Sequence, residues 1–239
     1  MKLHKKHYIL FFLMGLSLAI ILVFLSPMKQ DPHYHEFADT CAHMGIFNFH
    51  NVFSNILFTV FSFLGFRHYL HDKKGRGISW LVFLIGVFLV APGSAYYHYN
   101  PTNQTLIWDR IPMTMAFMGL TAFAFTEVFQ LKREWPVLLL FLAIGFYSIF
   151  HWIIFNDLRI YGWVQLTPIL VYLYMAIFLP TPSLRPKYLG VAVLFYLLAK
   201  ATEHNDLFIY NLLGYSGHSL KHILASFSVF SLIEMKKRY

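Results

Sequence analysis

The chain has 239 residues, of which 58% are hydrophobic and 13% charged, against roughly 45–50% and 25% in a soluble domain. Its formal net charge is +8, but in so apolar a chain Lys and Arg gather in cytoplasmic loops and set orientation, so the charge does not point to nucleic acid. A single cysteine, Cys41, excludes an intrachain disulfide and any Cys-rich zinc site, and any metal is expected to use nitrogen and oxygen ligands.

Residues 8–26, 77–97, 135–156 and 160–184 contain no Asp, Glu, Lys or Arg. Apolar runs of about 18 or more residues are long enough to cross the hydrocarbon layer. The expected fold is therefore an all-α integral membrane protein with several crossings, and a soluble all-α core does not account for runs of this length.

Met1–His7 is basic and 8–26 is apolar, the layout of a signal peptide. Phe24-Leu25-Ser26-Pro27 lacks a small-x-small cleavage site and the run is long for a signal peptide's apolar core, so 1–27 reads as an uncleaved first membrane helix. Residues 28–48 form a polar loop with Asp31, His33, His35, Glu36, Asp39 and His43. Those side chains can bind a metal, although a hydrated loop with scattered histidines explains them equally simply.

The second helix is expected from about Asn48 to Leu70, ended by Asp72-Lys73-Lys74-Gly75-Arg76-Gly77, and the third from Ile78 to His98. Asn100-Pro101-Thr102-Asn103 is a turn, because Pro and Asn favour turn geometry. The fourth helix is expected from Leu106 to Gln130, the fifth over 135–155, the sixth over 160–179, the seventh over 187–204 and the eighth over 212–233. Pro180, Pro182 and Pro186 interrupt the chain between the sixth and seventh.

With eight crossings, 14 of the 19 Lys and Arg residues fall on one side, from Lys2, Lys5 and Lys6 to Lys236, Lys237 and Arg238. The other side holds only Lys29, Arg110, Arg159, Lys200 and Lys221. The positive-inside rule then puts both termini in the cytoplasm, of a bacterial inner membrane if the chain is bacterial.

On this topology one outer layer of the membrane collects five polar residues. Ser94 and His98 lie four apart at the end of the third helix, Asp109 lies in the first turns of the fourth, and His218 and His222 lie four apart in the last. Residues four apart rise from one helix face, and ionisable groups inside a membrane are functional by default. Three histidines are the ligand set of a catalytic zinc site, which leaves its fourth position to water. Asp109 is then placed to act as general base and Ser94 to donate to an oxyanion. Isolated histidines such as His50, His68 and His151 read as packing or hydrogen-bonding residues. A proton relay or transporter is the competing use of such side chains, but the chain shows no inverted repeat or paired broken helices.

At these residues the sequence resembles the alkaline ceramidase family, within the CREST superfamily that also includes the adiponectin and progestin receptors. The resemblance rests on Ser94, His98, Asp109, His218 and His222 in order across three helices, and spans roughly Phe37 to the C-terminus. Asn51-Val52-Phe53-Ser54-Asn55 is similar to the stretch opening that family's first core helix. Trp108-Asp109-Arg110-Ile111-Pro112-Met113 and Ser216-Gly217-His218-Ser219-Leu220-Lys221-His222 resemble bacterial ceramidase-like members.

The resemblance implies a seven-transmembrane-helix core, here over 49–239, with the first helix as an addition. It also implies zinc held by His98, His218 and His222, and hydrolysis of the amide of a ceramide-like lipid to a sphingoid base and a fatty acid. Eukaryotic members carry an Asp-Trp-x-Glu-type calcium site. Asp39-Thr40-Cys41-Ala42 keeps only its Asp, and Asn48 stands where a Glu is expected, which speaks against calcium. The alternatives are a non-catalytic zinc-containing receptor or signalling protein of the same superfamily, and a hydrolase of another acyl lipid.

Overall fold

The computed structural model of the protein describes residues 5–72, 77–178 and 185–236. Among these the chain is helical, with no strand and only an isolated bridge between His43 and Ile46. Several residues that enter the charge count of the topology, namely Lys2, Lys73, Lys74, Arg76, Lys237 and Arg238, lie outside the described residues, as do Pro180 and Pro182.

Ten α-helices follow in order: α1 Lys5–Phe24, α2 Phe49–Phe53, α3 Ile56–His71, α4 Ile78–Tyr99, α5 Asn103–Phe129, α6 Trp135–Phe155, α7 Arg159–Phe178, α8 Pro186–His204, α9 Asp206–Leu213 and α10 Gly217–Lys236. Five stretches are long and apolar enough to cross a membrane: Phe49–His71, Ile78–Tyr99, Asn103–Phe129, Trp135–Phe155 and Arg159–Phe178. This is the make-up of a membrane protein. The exposed surface agrees: α6 alone leaves Leu139, Leu140, Phe146, Phe150, Ile153, Ile154 and Phe155 uncovered, a larger apolar face than water tolerates.

The remaining expected crossings correspond to α8 and α10, helices that fall short of that apolarity, and to α1, whose stretch Tyr8–Phe24 is itself apolar. In α8 and α10 the cause is composition. They carry Lys200, Glu203, His218, Lys221 and His222, together with a row of serines.

The last part of the chain differs from expectation. The segment read as a connection is the separate helix α9, and the final helix starts at Gly217 rather than near 212. Gly214 ends α9 in the left-handed region at φ 66°, where a residue without Cβ pays no steric penalty. Ser216 then opens α10, its Oγ accepting from the backbone N–H groups of His218 and Ser219 at 3.1 and 3.3 Å. A serine in this position satisfies donors that the first helical turn leaves free.

The described residues fall into two compact units, one of 5–31, 77–86 and 113–178, the other of 32–72, 87–112 and 185–236. In the first, α7 packs against α1 and α6. Asp157 accepts from the backbone of Met28 at 3.2 Å and from Arg159, and Arg159 Nη1 donates to the carbonyls of Leu22 and Leu25 at 2.9 and 2.8 Å. The arginine thus caps the C-terminal carbonyls of α1, where a cation is favoured. In the second unit, α10 packs on α8, α3, α2 and α9.

Candidate metal centre

All five residues picked out by spacing lie in the second unit. His218 and His222 are one turn apart on α10, and His98 comes from the last turn of α4. The three ring centroids form a triangle with each side 4.9 Å. One ligand nitrogen from each ring lies within 4.8 Å of the other two, and all three residues are buried.

Two glycines make this convergence possible. A Cβ at Gly217 would run into the Thr202 carbonyl and Asp206 Cα, and one at Gly93 into the Trp108 carbonyl and the Pro112 ring. Each precedes a site residue, His218 or Ser94. Close backbone approach therefore sets the depth at which those side chains enter.

The hydrogen bonds around the rings orient them. Ser54 Oγ donates to the Asn51 carbonyl at 3.2 Å and lies 2.7 Å from His222 Nδ1. With its single proton committed, the hydroxyl accepts from His222 Nδ1–H, which leaves the lone pair on Nε2. A partner that fixes the tautomer in this way is a regular feature of metal-binding histidines. His98 carries the strongest signal. It is fully buried, and neither of its ring nitrogens has a hydrogen-bond partner. Leaving such groups unsatisfied costs about 1–3 kcal/mol each. A cation shared with His218 and His222 supplies the missing partner, so the donor set fits a metal ion.

His218 Nε2 accepts from Lys221 Nζ at 3.1 Å. An ion bound through that nitrogen displaces this hydrogen bond, and the ammonium keeps Glu203 Oε1 at 2.8 Å as its partner. Lys200 pairs with the other Glu203 oxygen at 2.8 Å, as their spacing of one turn on α8 suggests. Asp206, on α9, accepts from the backbone of His218 at 2.9 Å and from Ser216 Oγ at 2.6 Å, and its second oxygen accepts from Ala38 N at 3.0 Å. In the sequence Asp206 stands out only as one of several polar groups around this layer that could support the ligands, and Ser54 by no role at the metal. Their roles depend on partners 168 positions away, His222 and Ala38 respectively.

Ser94 and Asp109 are both buried, with the Ser94 hydroxyl beside the Asp109 carboxylate. The polar segment 28–48 is also more ordered than a hydrated loop. Phe37 stacks its ring 4.7 Å from that of His98 and 4.6 Å from that of His218. His35 bonds Tyr97 Oη at 2.8 Å and Asn103 Oδ1 at 3.0 Å, and Asn48 donates to the His98 carbonyl at 3.0 Å. Tyr34 lies against the Arg110 guanidinium. Burial, with the Glu203 carboxylate, pushes its phenol up to about 12, so Tyr34 is a neutral donor at physiological pH. His33 pairs with Glu36 in solvent at 2.8 Å.

A second group of potential ligands gathers in the same unit. Asp39, Cys41 and His50 place one ligand atom each within 4.8 Å of the others. His50 hydrogen-bonds Asp39 at 3.2 Å, as expected, and the lone cysteine belongs to a possible ligand set that the nitrogen-and-oxygen expectation omits. His151 does only hydrogen-bond, to the Asp157 carbonyl at 3.3 Å. No protein-family model matches the sequence, and comparison with curated proteins finds no match.

Proposed function

We propose that His98, His218 and His222 hold a zinc ion and that the protein is a membrane-embedded hydrolase cleaving the amide of a ceramide-like lipid. The observation that carries this reading is His98, a buried imidazole with no partner on either nitrogen, set against two more imidazoles and in one unit with a buried Ser94–Asp109 pair. A zinc ion on three neutral nitrogen ligands keeps its full charge, lowers the pKa of water and polarises a carbonyl.

The chain's own residues do the rest. Asp109 takes the proton of the attacking water as its oxygen bonds to the acyl carbon. It then returns that proton to the departing amine nitrogen as the C–N bond breaks, so that one acid and one amine are released. Ser94, beside the Asp109 carboxylate, helps to align it and donates to the carbonyl oxygen as negative charge builds there. A purely structural metal site needs neither residue, which favours hydrolysis over a non-catalytic receptor.

The placement proposed with this activity has 49–239 as a seven-helix core, 1–27 as an additional crossing and 28–48 outside. Both termini are cytoplasmic and the metal centre lies toward the outer side.

The test is incubation of the purified protein with a mixed lipid extract, with and without a chelator, followed by mass analysis of products. A sphingoid base and a fatty acid should appear only without chelator. His98→Ala should lose the zinc of this site and the activity together, and Asp109→Asn should keep the zinc and lose at least ~100-fold in rate. Release of a different acyl product assigns another lipid, and zinc without any hydrolysis supports the receptor reading. Full activity of His98→Ala overturns the site.

A further inference from the structure

We infer that Asp39, Cys41 and His50 form a second metal site, which takes zinc or a similar borderline first-row ion. The three side chains converge from two parts of the chain, the loop before α2 and α2 itself. Asp39 is fully buried while Cys41 and His50 are partly open, so an ion reaches the group from one side and a water completes its shell there.

The donor chemistry differs from that of the histidine centre. Here two of three donors, the carboxylate and the thiolate, are anionic when bound, and their charges offset that of a divalent ion. Two anionic donors leave a bound divalent ion less electrophilic than three neutral imidazoles do. A thiolate and an imidazole also select against calcium and magnesium, which prefer oxygen donors.

The position of the group gives the ion something to hold. Asp39 Oδ1 accepts from Cys41 N at 3.1 Å and from His50 Nδ1 at 3.2 Å, and Oδ2 accepts from Asn51 N at 2.9 Å. Asn51 Oδ1 in turn accepts from Ser219 Oγ at 2.6 Å, beside His218, and Ser54 bonds His222. An ion at Asp39 thus clamps the loop to the segment that orients two of the three histidines. The inference does not depend on what reaction, if any, the histidine centre performs.

Metal content of the full-length, detergent-solubilised chain tests it. Two zinc equivalents per chain are expected, with one lost in Cys41→Ser and the other lost in His98→Ala. After exchange with cobalt, a thiolate-to-cobalt charge-transfer band should be present in the wild type and in His98→Ala, and absent from Cys41→Ser. Three imidazoles cannot produce that band. In wild-type protein, zinc should slow alkylation of Cys41 at least tenfold relative to chelated protein, a readout that needs no variant to fold. A cobalt form without the band, zinc content unchanged by Cys41→Ser, or equal alkylation with and without metal overturns the inference. Loss of lipid hydrolysis with the band intact would sink only the hydrolase reading.

Discussion

Two side chains bear on the proposed metal centre with opposite sign. Ser54 accepts from His222 Nδ1 and so holds the ligand nitrogen toward the other rings. Removing such a partner costs 10–100-fold in metal affinity, and Ser54→Ala should weaken zinc binding by about that factor in a chelator-competition titration. Lys221 works against the ion, because its ammonium donates to His218 Nε2 and places a positive charge beside the site. Lys221→Met should tighten binding by roughly tenfold, or about 1.4 kcal/mol, while Glu203 keeps its pairing to Lys200. Weaker binding in Lys221→Met would mean that the lysine supports the site rather than competing with it.

The helices that carry these residues depend on close contacts and on their termini. Gly217 lies where α10 meets the Thr202 carbonyl and the start of α9. A methyl group there pushes α10 outward, and overpacking of this kind costs about 1–3 kcal/mol. Gly217→Ala should lower thermal stability and deplete zinc together, whereas alanine at Gly190, with open space around it, should do neither.

At the junction of α6 and α7, burial alone would raise the Asp157 carboxyl, but the hydrogen bonds from Arg159 and Met28 outweigh it and hold its pKa below the ordinary value. A carboxylate with a depressed folded pKa contributes stability that is fully present above its unfolded pKa, about 3.9. That contribution is lost as pH falls through the folded value. Asp157→Asn should therefore lower the melting temperature at neutral pH and narrow the gap to wild type as the pH drops below about 4. A constant gap across that range would show that ionisation of Asp157 is not involved.

For the molecule as a whole, the helical class and three of the five apolar spans were legible from uncharged runs alone. The boundaries of α4, α6 and α7 fall within a residue or two of expectation. A run of twenty apolar residues has one way to satisfy its backbone in lipid, which is to form a helix. The histidine centre was legible for a similar reason, since i, i+4 spacing fixes two rings on one face whatever surrounds them. Three features were not legible: α9, the loop laid over His98 and His218, and the partnership of Cys41 with Asp39 and His50. Each depends on contacts between positions whose separation carries no periodic signal. Asp206 shows the difficulty, because it looks like any solvated acid near a helix end and acts only through Ala38, Ser216 and the backbone of His218.

The sequence by itself thus determined that the chain is helical, that much of it belongs in lipid, and which five polar residues break the apolar pattern. Only the tertiary structure decided that the His98 ring nitrogens lack a hydrogen-bond partner and lie against His218 and His222, that Ser94 and Asp109 are buried together, and that a thiol joins a second group of ligands. The physical reason is range. Helix periodicity and hydrophobicity act over a few residues, whereas the satisfaction of a buried polar group depends on what the whole fold brings within about 3 Å of it.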